Sequence, residues 1–187
     1  MSVRTVFKKL HAALESAKVP YMVTGSFASS AHGAPRATND IDVVIAPTRE
    51  QLLALLEHFP ESGYYSNSEE ALGGLHNRSQ FNVIDYGGLW KIDFIFRKDR
   101  EFSEHEFSRR TIVEIAGVPL YAATPEDVLI SKLEWAKFGQ SERQIDDAAG
   151  VIRVQANNLD LVYIRTWVAK LGLEHEWRIA SVKAEHW

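Results

Sequence analysis

The stretch that most constrains this chain covers residues 21–45, YMVTGSFASSAHGAPRATNDIDVVI. Tyr21-Met22-Val23-Thr24 is a short apolar strand stopped by Gly25, and the small residues from Ser26 to His32 suit a helix packed closely on a sheet. Gly33 and Pro35 close that helix, a basic loop follows, and residues 41–45 form an apolar run broken only by Asp42. Such a run is expected of a strand covered on both faces. Residues two apart on a strand share a side, roughly 7 Å apart, so Asp40 and Asp42 point the same way. Like charges inside an apolar strand are costly unless something pairs with them. Two carboxylates so placed can share a pair of metal ions about 3.5–4 Å apart, and magnesium suits carboxylate and phosphate oxygens.

Around this stretch the pattern alternates between helix and strand. Val3, Val6, Phe7, Leu10, Ala13, Leu14 and Ala17 recur at helical spacing, and Pro20 ends that helix. Thr48 and Gln51 read as a capping box for a helix that Pro60 terminates. Residues 61–80 turn polar and glycine-rich, which predicts an irregular, mobile segment. Residues 81–84 and 89–96 flank Asp85-Tyr86-Gly87-Gly88, a hairpin signal. The second arm carries a third acid, Asp93, among Ile92, Phe94, Ile95 and Phe96. A short Glu-rich helix around residues 103–107 precedes a strand pair split by Ala116-Gly117. Arg97, Lys98, Arg100, Arg109 and Arg110 are offset by Glu101, Glu104 and Glu106, and read as a solvated helix face.

The last third reads as helical. Thr124-Pro125-Glu126-Asp127 is an N-cap, an N1 proline and two first-turn acids. Ser141 with Gln144 suggests another capping box, and Asp160 and Glu174 sit near two further helix starts. The expected class is α/β (α+β): a mixed β-sheet flanked by helices, with a C-terminal helical bundle. The division runs between a core at 1–123 and a helical region at 124–187 packed on it. Trp167, Trp177 and Trp187 of the last helices are expected to pack internally or against a second copy.

Composition excludes several classes. The 187 residues are 45% hydrophobic and 25% charged, which suits a protein with a real core. A net charge of −4 is not the basic surplus of a dedicated nucleic-acid binder. Without cysteine there are no disulfides, thiolate zinc sites or cysteine nucleophiles. The seven histidines show no HExxH pairing, no GxxxxGK[ST] phosphate loop occurs, and the serines form no GxSxG elbow. Residues 1–20 lack a signal-peptide core, and no apolar run nears the roughly 18 residues of a membrane span, so a soluble, cytoplasmic protein is expected.

Further residues carry chemistry. Gly25-Ser26 opens a helix, where exposed N–H groups hold phosphate and glycine permits close approach. Arg36 and Thr38 are within reach of phosphate oxygens, though a solvated loop arginine is the alternative for Arg36. Lys132 falls at the centre of an apolar helix face, between Val128 and Ala136 with Leu129, Leu133 and Trp135 beside it. Lysine is seldom buried there without a partner, and a phosphate or a buried carboxylate would each serve. Asp93 alone is a structural hydrogen-bonding group or a metal ligand and proton acceptor.

Together, Gly25-Ser26, Asp40-x-Asp42 and Asp93 resemble the nucleotidyltransferase superfamily, with its DNA polymerase beta-like fold. The stretch TPEDVLISKLEWAKFGQSERQIDDAAGVIR looks like the helical half of small bacterial members related to AbiEii-type toxins. The resemblance covers roughly residues 19–153. It implies transfer of a nucleoside monophosphate, with ATP among the candidate donors, to an acceptor hydroxyl, releasing pyrophosphate. It further implies two Mg2+ ions on Asp40, Asp42 and Asp93; a triphosphate held by Gly25, Ser26, Arg36, Thr38 and Lys132; and an acid matching Asp147 on the next helix. A toxin–antitoxin toxin acting on tRNA, with a cognate antitoxin, is one form of this. A non-catalytic nucleotide- or partner-binding module and an antibiotic-modifying adenylyltransferase are the alternatives. No base-reading pocket is evident in the sequence, which leaves the nucleotide and the acceptor (RNA, protein or small molecule) unassigned.

Overall fold

The structure is a computed structural model, and it describes residues 2–87 and 90–185. The chain begins with α1 (Val3–Ser16), whose apolar face Val6, Phe7, Leu10, Ala13 and Leu14 is buried. The strands β1 (Tyr21–Val23) and β2 (Asp40–Ile45) enclose α2 (Gly25–His32). The helix α3 (Arg49–Leu56) starts at the expected Thr48/Gln51 capping box. Next come β3 (Tyr64–Tyr65), α4 (Ser68–Asn77) and the hairpin of β4 (Gln80–Asp85) and β5 (Trp90–Phe96). Gly88 and Leu89, expected at the hairpin turn and the start of its second arm, lie outside the described residues. Then α5 (Glu101–Arg109) leads to β6 (Thr111–Ile115) and β7 (Val118–Ala122). The remaining helices are α6 (Pro125–Gly139), α7 (Glu142–Gln155), α8 (Leu161–Leu171) and α9 (Glu174–Glu185).

Among the described residues the strands form one seven-stranded mixed sheet in the order β3-β4-β5-β2-β1-β7-β6. The central pairing is parallel, β2 on β5, in a register that sets Asp40 beside Lys91 and Asp42 beside Asp93. One sheet face is dry: Ile41, Val43, Ile45, Phe94 and Phe96 are fully buried there with Phe7, Leu10 and Leu52. On the other face Met22 joins Ala28 and a second core of Val128, Leu129, Leu133, Ala148, Val151 and Ile164 from the later helices. β2 is therefore not covered alike on both sides, since Ile41, Val43 and Ile45 are buried while Asp40 is exposed and Asp42 and Val44 are half-buried. The polar gap they line is where the site lies.

Three expectations fail for identifiable reasons. Residues 61–80 are ordered, because the Asn67 side chain caps α4 through the Glu69 and Glu70 amides. Of the glycines that suggested a loop, Gly74 lets that helix lie on the core: a Cβ there would come 2.7 Å from the buried Phe96 ring. Ser141 begins α7 without a side-chain cap bond, so no capping box forms there. Trp167 and Trp177 pack internally in the second core, and Trp187 lies outside the described residues.

The third failure is the basic segment: Lys98 is exposed, but Arg97, Arg100, Arg109 and Arg110 are half-buried rather than solvated. Arg100 grips Glu134 through two bonds of 2.6 Å. Arg109 reaches Asp127 at 3.1 Å and Glu126 at 3.3 Å, and the Tyr163 hydroxyl donates to Asp127 at 2.5 Å. Glu106 faces inward with Phe102 and Phe107 and accepts a hydrogen bond from Ser131 at 3.1 Å. Burial, reinforced by the charge of Asp127, pushes its carboxyl up from 4.5 to about 8. The folded chain therefore holds this proton where the unfolded chain has released it, and stability falls as pH rises from 4.5 towards 8. Glu106→Gln keeps the shape without the charge. Urea unfolding should find variant and wild type alike at pH ~5, and the variant more stable by on the order of 3 kcal/mol at pH ~9. A difference that does not change with pH would remove Glu106 as the source.

Candidate active site

Two parallel strands in register build the centre of the site. Neighbouring strands lie about 4.8 Å apart and same-face residues about 7 Å apart, so Asp40, Lys91, Asp42 and Asp93 occupy the corners of one small rectangle. Three corners are acids and one is a cation. Lys91 Nζ lies 2.9 Å from each oxygen of Asp93, donating its hydrogen bond to Oδ2.

Asp42 bears the cost of this crowding. Burial pushes its carboxyl pKa up, the adjacent Asp93 adds to the rise and Asp40 contributes further; Lys132 and the Ser26 amide oppose it. Gly25 makes the arrangement possible. It adopts φ +62°, and a Cβ built on it would stand 1.9 Å from Asp42 Oδ2. Only a residue with no side chain lets the start of α2 close over that carboxylate, where the Ser26 backbone amide favours its charged form. The first service of Gly25-Ser26 in this structure is thus to seat an acid.

A second charged group closes the cavity from the helical side. Lys132 on α6 is buried and lies 2.7 Å from Asp147 Oδ2 on α7. Burial lowers its pKa, and the contact with Asp147 opposes that. Arg36, from the loop before β2, sets its Nε 3.3 Å from Asp147 Oδ1 and its terminal nitrogen on the Ser26 hydroxyl. Of the two partners open to Lys132, the ligand-free structure uses the carboxylate.

These elements surround a cavity of about 380 Å³ lined by Gly25, Ser26, Arg36, Asp40, Asp42, Asp93 and Lys132, within the usual size of a small-molecule site. Asp147 lies behind it, holding the two cations. Thr38 is not among the lining residues; its hydroxyl accepts from the Asp40 amide at 3.1 Å and shapes the entry to β2. Gln80, Ser131, Trp135, Arg143 and Gln144 also line the cavity, and the sequence did not assign them to it. Trp135 is 59% exposed rather than part of the core face of α6. Lys91 was legible in principle, being two residues from Asp93 on the same strand face.

The acid set suits a hard divalent cation: carboxylate oxygens on adjacent strands, one with its ionisation opposed by burial and like charges. In the conformation described, no group of three His, Cys, Asp or Glu side chains among the described residues is gathered as a cage, and Asp93 is turned to Lys91.

No protein-family model matches the chain, and no curated protein matches it. Solved structures do. The solution structure of the antibiotic-resistance factor ANT(2'')-Ia matches with a TM-score of 0.59 at 17% identity, covering 98% of this chain and 96% of that one. The fold is nucleotidyltransferase-like. An antigenic nucleotidyltransferase-like protein from Paracoccidioides brasiliensis matches at TM-score 0.55 and 21% identity, over 97% of this chain and 91% of that one. JHP933 from Helicobacter pylori matches at 0.51 and 14%, over 99% and 91%. The nucleotidyltransferase-like sheet and its flanking helices were expected from the sequence; at these identities the likeness is one of fold.

Gly25→Ala tests the seating of Asp42. The methyl group must displace the carboxylate, so if these acids hold magnesium with a nucleotide, that affinity should fall at least about tenfold, with about 1 kcal/mol of added backbone strain from the positive φ. Calorimetric titration and thermal melting would report the two effects separately. Undiminished affinity would mean that the Asp42 position is not needed.

Proposed function

We propose that this chain is a magnesium-dependent nucleotidyltransferase, moving a nucleoside monophosphate from an NTP to an acceptor hydroxyl with release of pyrophosphate. The observation that carries the proposal is the register of β2 with β5, which gathers Asp40, Asp42 and Asp93 at one end of a cavity. Arg36 and Lys132 stand at the same cavity, on a nucleotidyltransferase-like fold.

Each residue then has a task. Asp40, Asp42 and Asp93 would hold two magnesium ions, which would supply neutralisation of charge on the reacting phosphoryl group. Arg36, Lys132 and the α2 start at Gly25-Ser26 hold the triphosphate, with Thr38 keeping the approach to β2 in shape. Asp93 takes the proton of the acceptor hydroxyl as that oxygen bonds to the α-phosphorus. The bond from phosphorus to the bridging oxygen breaks, and pyrophosphate carries away that electron pair. For the triphosphate to use Arg36 and Lys132, both must share or release Asp147.

Two acceptors follow from different grounds. The AbiEii-type resemblance of the helical third favours a cytoplasmic toxin acting on tRNA, controlled by a cognate antitoxin. The match to ANT(2'')-Ia over nearly the whole chain favours an antibiotic-modifying adenylyltransferase. The decisive measurements are titration of ATP with Mg2+ into wild type and Asp42→Asn, then transfer of labelled nucleotide to tRNA and to aminoglycosides. Asp42→Asn should lose most of the magnesium-dependent affinity, roughly tenfold or more. Equal affinity in both proteins rejects the metal assignment. Binding without transfer to either acceptor class favours a nucleotide-binding module.

A further inference from the structure

The corner of the carboxylate rectangle taken by Lys91 carries an inference about how the site is kept before a metal arrives. Lys91 stands beside Asp40 in register and two residues before Asp93 on the same strand face. Its ammonium lies 2.9 Å from both Asp93 oxygens and donates a hydrogen bond to Oδ2, so a second cation approaching that carboxylate meets a like charge already in place. The charge also acts on Asp40 and Asp42, whose fields, with that of Asp93, favour the protonated ammonium. Of the other cations lining the cavity, Lys132 and Arg36 are paired with Asp147, and Arg36 with Ser26 as well, while Arg143 stands on the helical side, away from the β2–β5 acids.

Lys91 is also able to leave. Its side chain is 39% exposed, against 5% for that of Lys132, so its flexible stem has solvent to move into. Three carboxylates on adjacent strands of a rigid sheet repel one another strongly if left bare. A tethered ammonium relieves that repulsion more weakly than a divalent ion would.

We propose that Lys91 is a displaceable internal counter-ion: it holds Asp93 and screens Asp40 and Asp42 in the metal-free protein, and a divalent cation binds by exchanging with it. This rests on the reading of the three acids as a cation site. The exchange weakens metal binding to the empty protein. It also frees an ammonium beside the cavity at the moment the metal enters.

The test is titration of Mn2+ into wild type, Lys91→Met and Lys91→Arg without nucleotide, with free Mn2+ followed by electron paramagnetic resonance. Lys91→Met should bind roughly tenfold more tightly, because the competing charge has gone, while Lys91→Arg stays near wild type. Equal or weaker binding by a folded Lys91→Met overturns the proposal while leaving the acids a metal site. Absence of binding in all three proteins rejects the metal site itself, and the proposal with it. Should Lys91→Met fail to fold, wild-type protein with 13C-methylated lysines gives a second readout. Mg2+ should shift the resonance that is missing in Lys91→Arg, and an unmoved resonance overturns the exchange.

Discussion

The parallel register of β2 on β5 is the constraint on which the rest depends. Once Asp42 is paired with Asp93, two like charges stand one strand spacing apart beside a dry core, and neighbouring features answer to that cost. Gly25 gives up its side chain, Ser26 aims its amide at the carboxylate, and Lys91 covers the second acid. Lys132 adds a buried charge from the helical layer.

The helical layer matters as much as the strands. α6 begins at a Thr124 cap with proline in its first turn, so its start is fixed directly after β7. From there Val128, Leu129 and Leu133 bury themselves in the second core and turn Lys132 towards the cavity. α7 then lays Asp147 against that lysine. The charged groups between α5, α6 and α8, including Arg100 with Glu134 and Arg109 with Asp127, hold this layer from behind. Its apolar core and its ion pairs together set the position of one ammonium group.

Local chemistry made much of this legible in the sequence. Asp40-x-Asp42, Gly25, Asp93 and the Thr124-Pro125 cap all signal through near neighbours, and all stand where strand and helix periods put them. What stayed hidden depends on distant partners. Gly74 read as part of a loop because the Phe96 ring that requires closeness comes from another element. Glu106 looked solvated because its burial is imposed by α6 and α8. The partner of Lys132 could not be chosen between phosphate and carboxylate without knowing where α7 returns. Lys91 stayed hidden for another reason: a lysine in strand alternation carries no signal of its own until β5 pairs with β2 and sets it beside Asp40.

Asp147 deserves a last consequence. It is bound at once by Lys132 from α6 and by Arg36 from the loop, and Arg36 in turn holds Ser26 at the start of α2. One carboxylate therefore joins three separate parts of the cavity wall, just as Lys91 joins the acids opposite. Charge at both ends of the cavity is partly answered from within. An anion held by Arg36 and Lys132 would have to draw them from Asp147, and a metal held by Asp93 would have to draw it from Lys91. A molecule that brings negative charge and a metal together answers both ends in a single event.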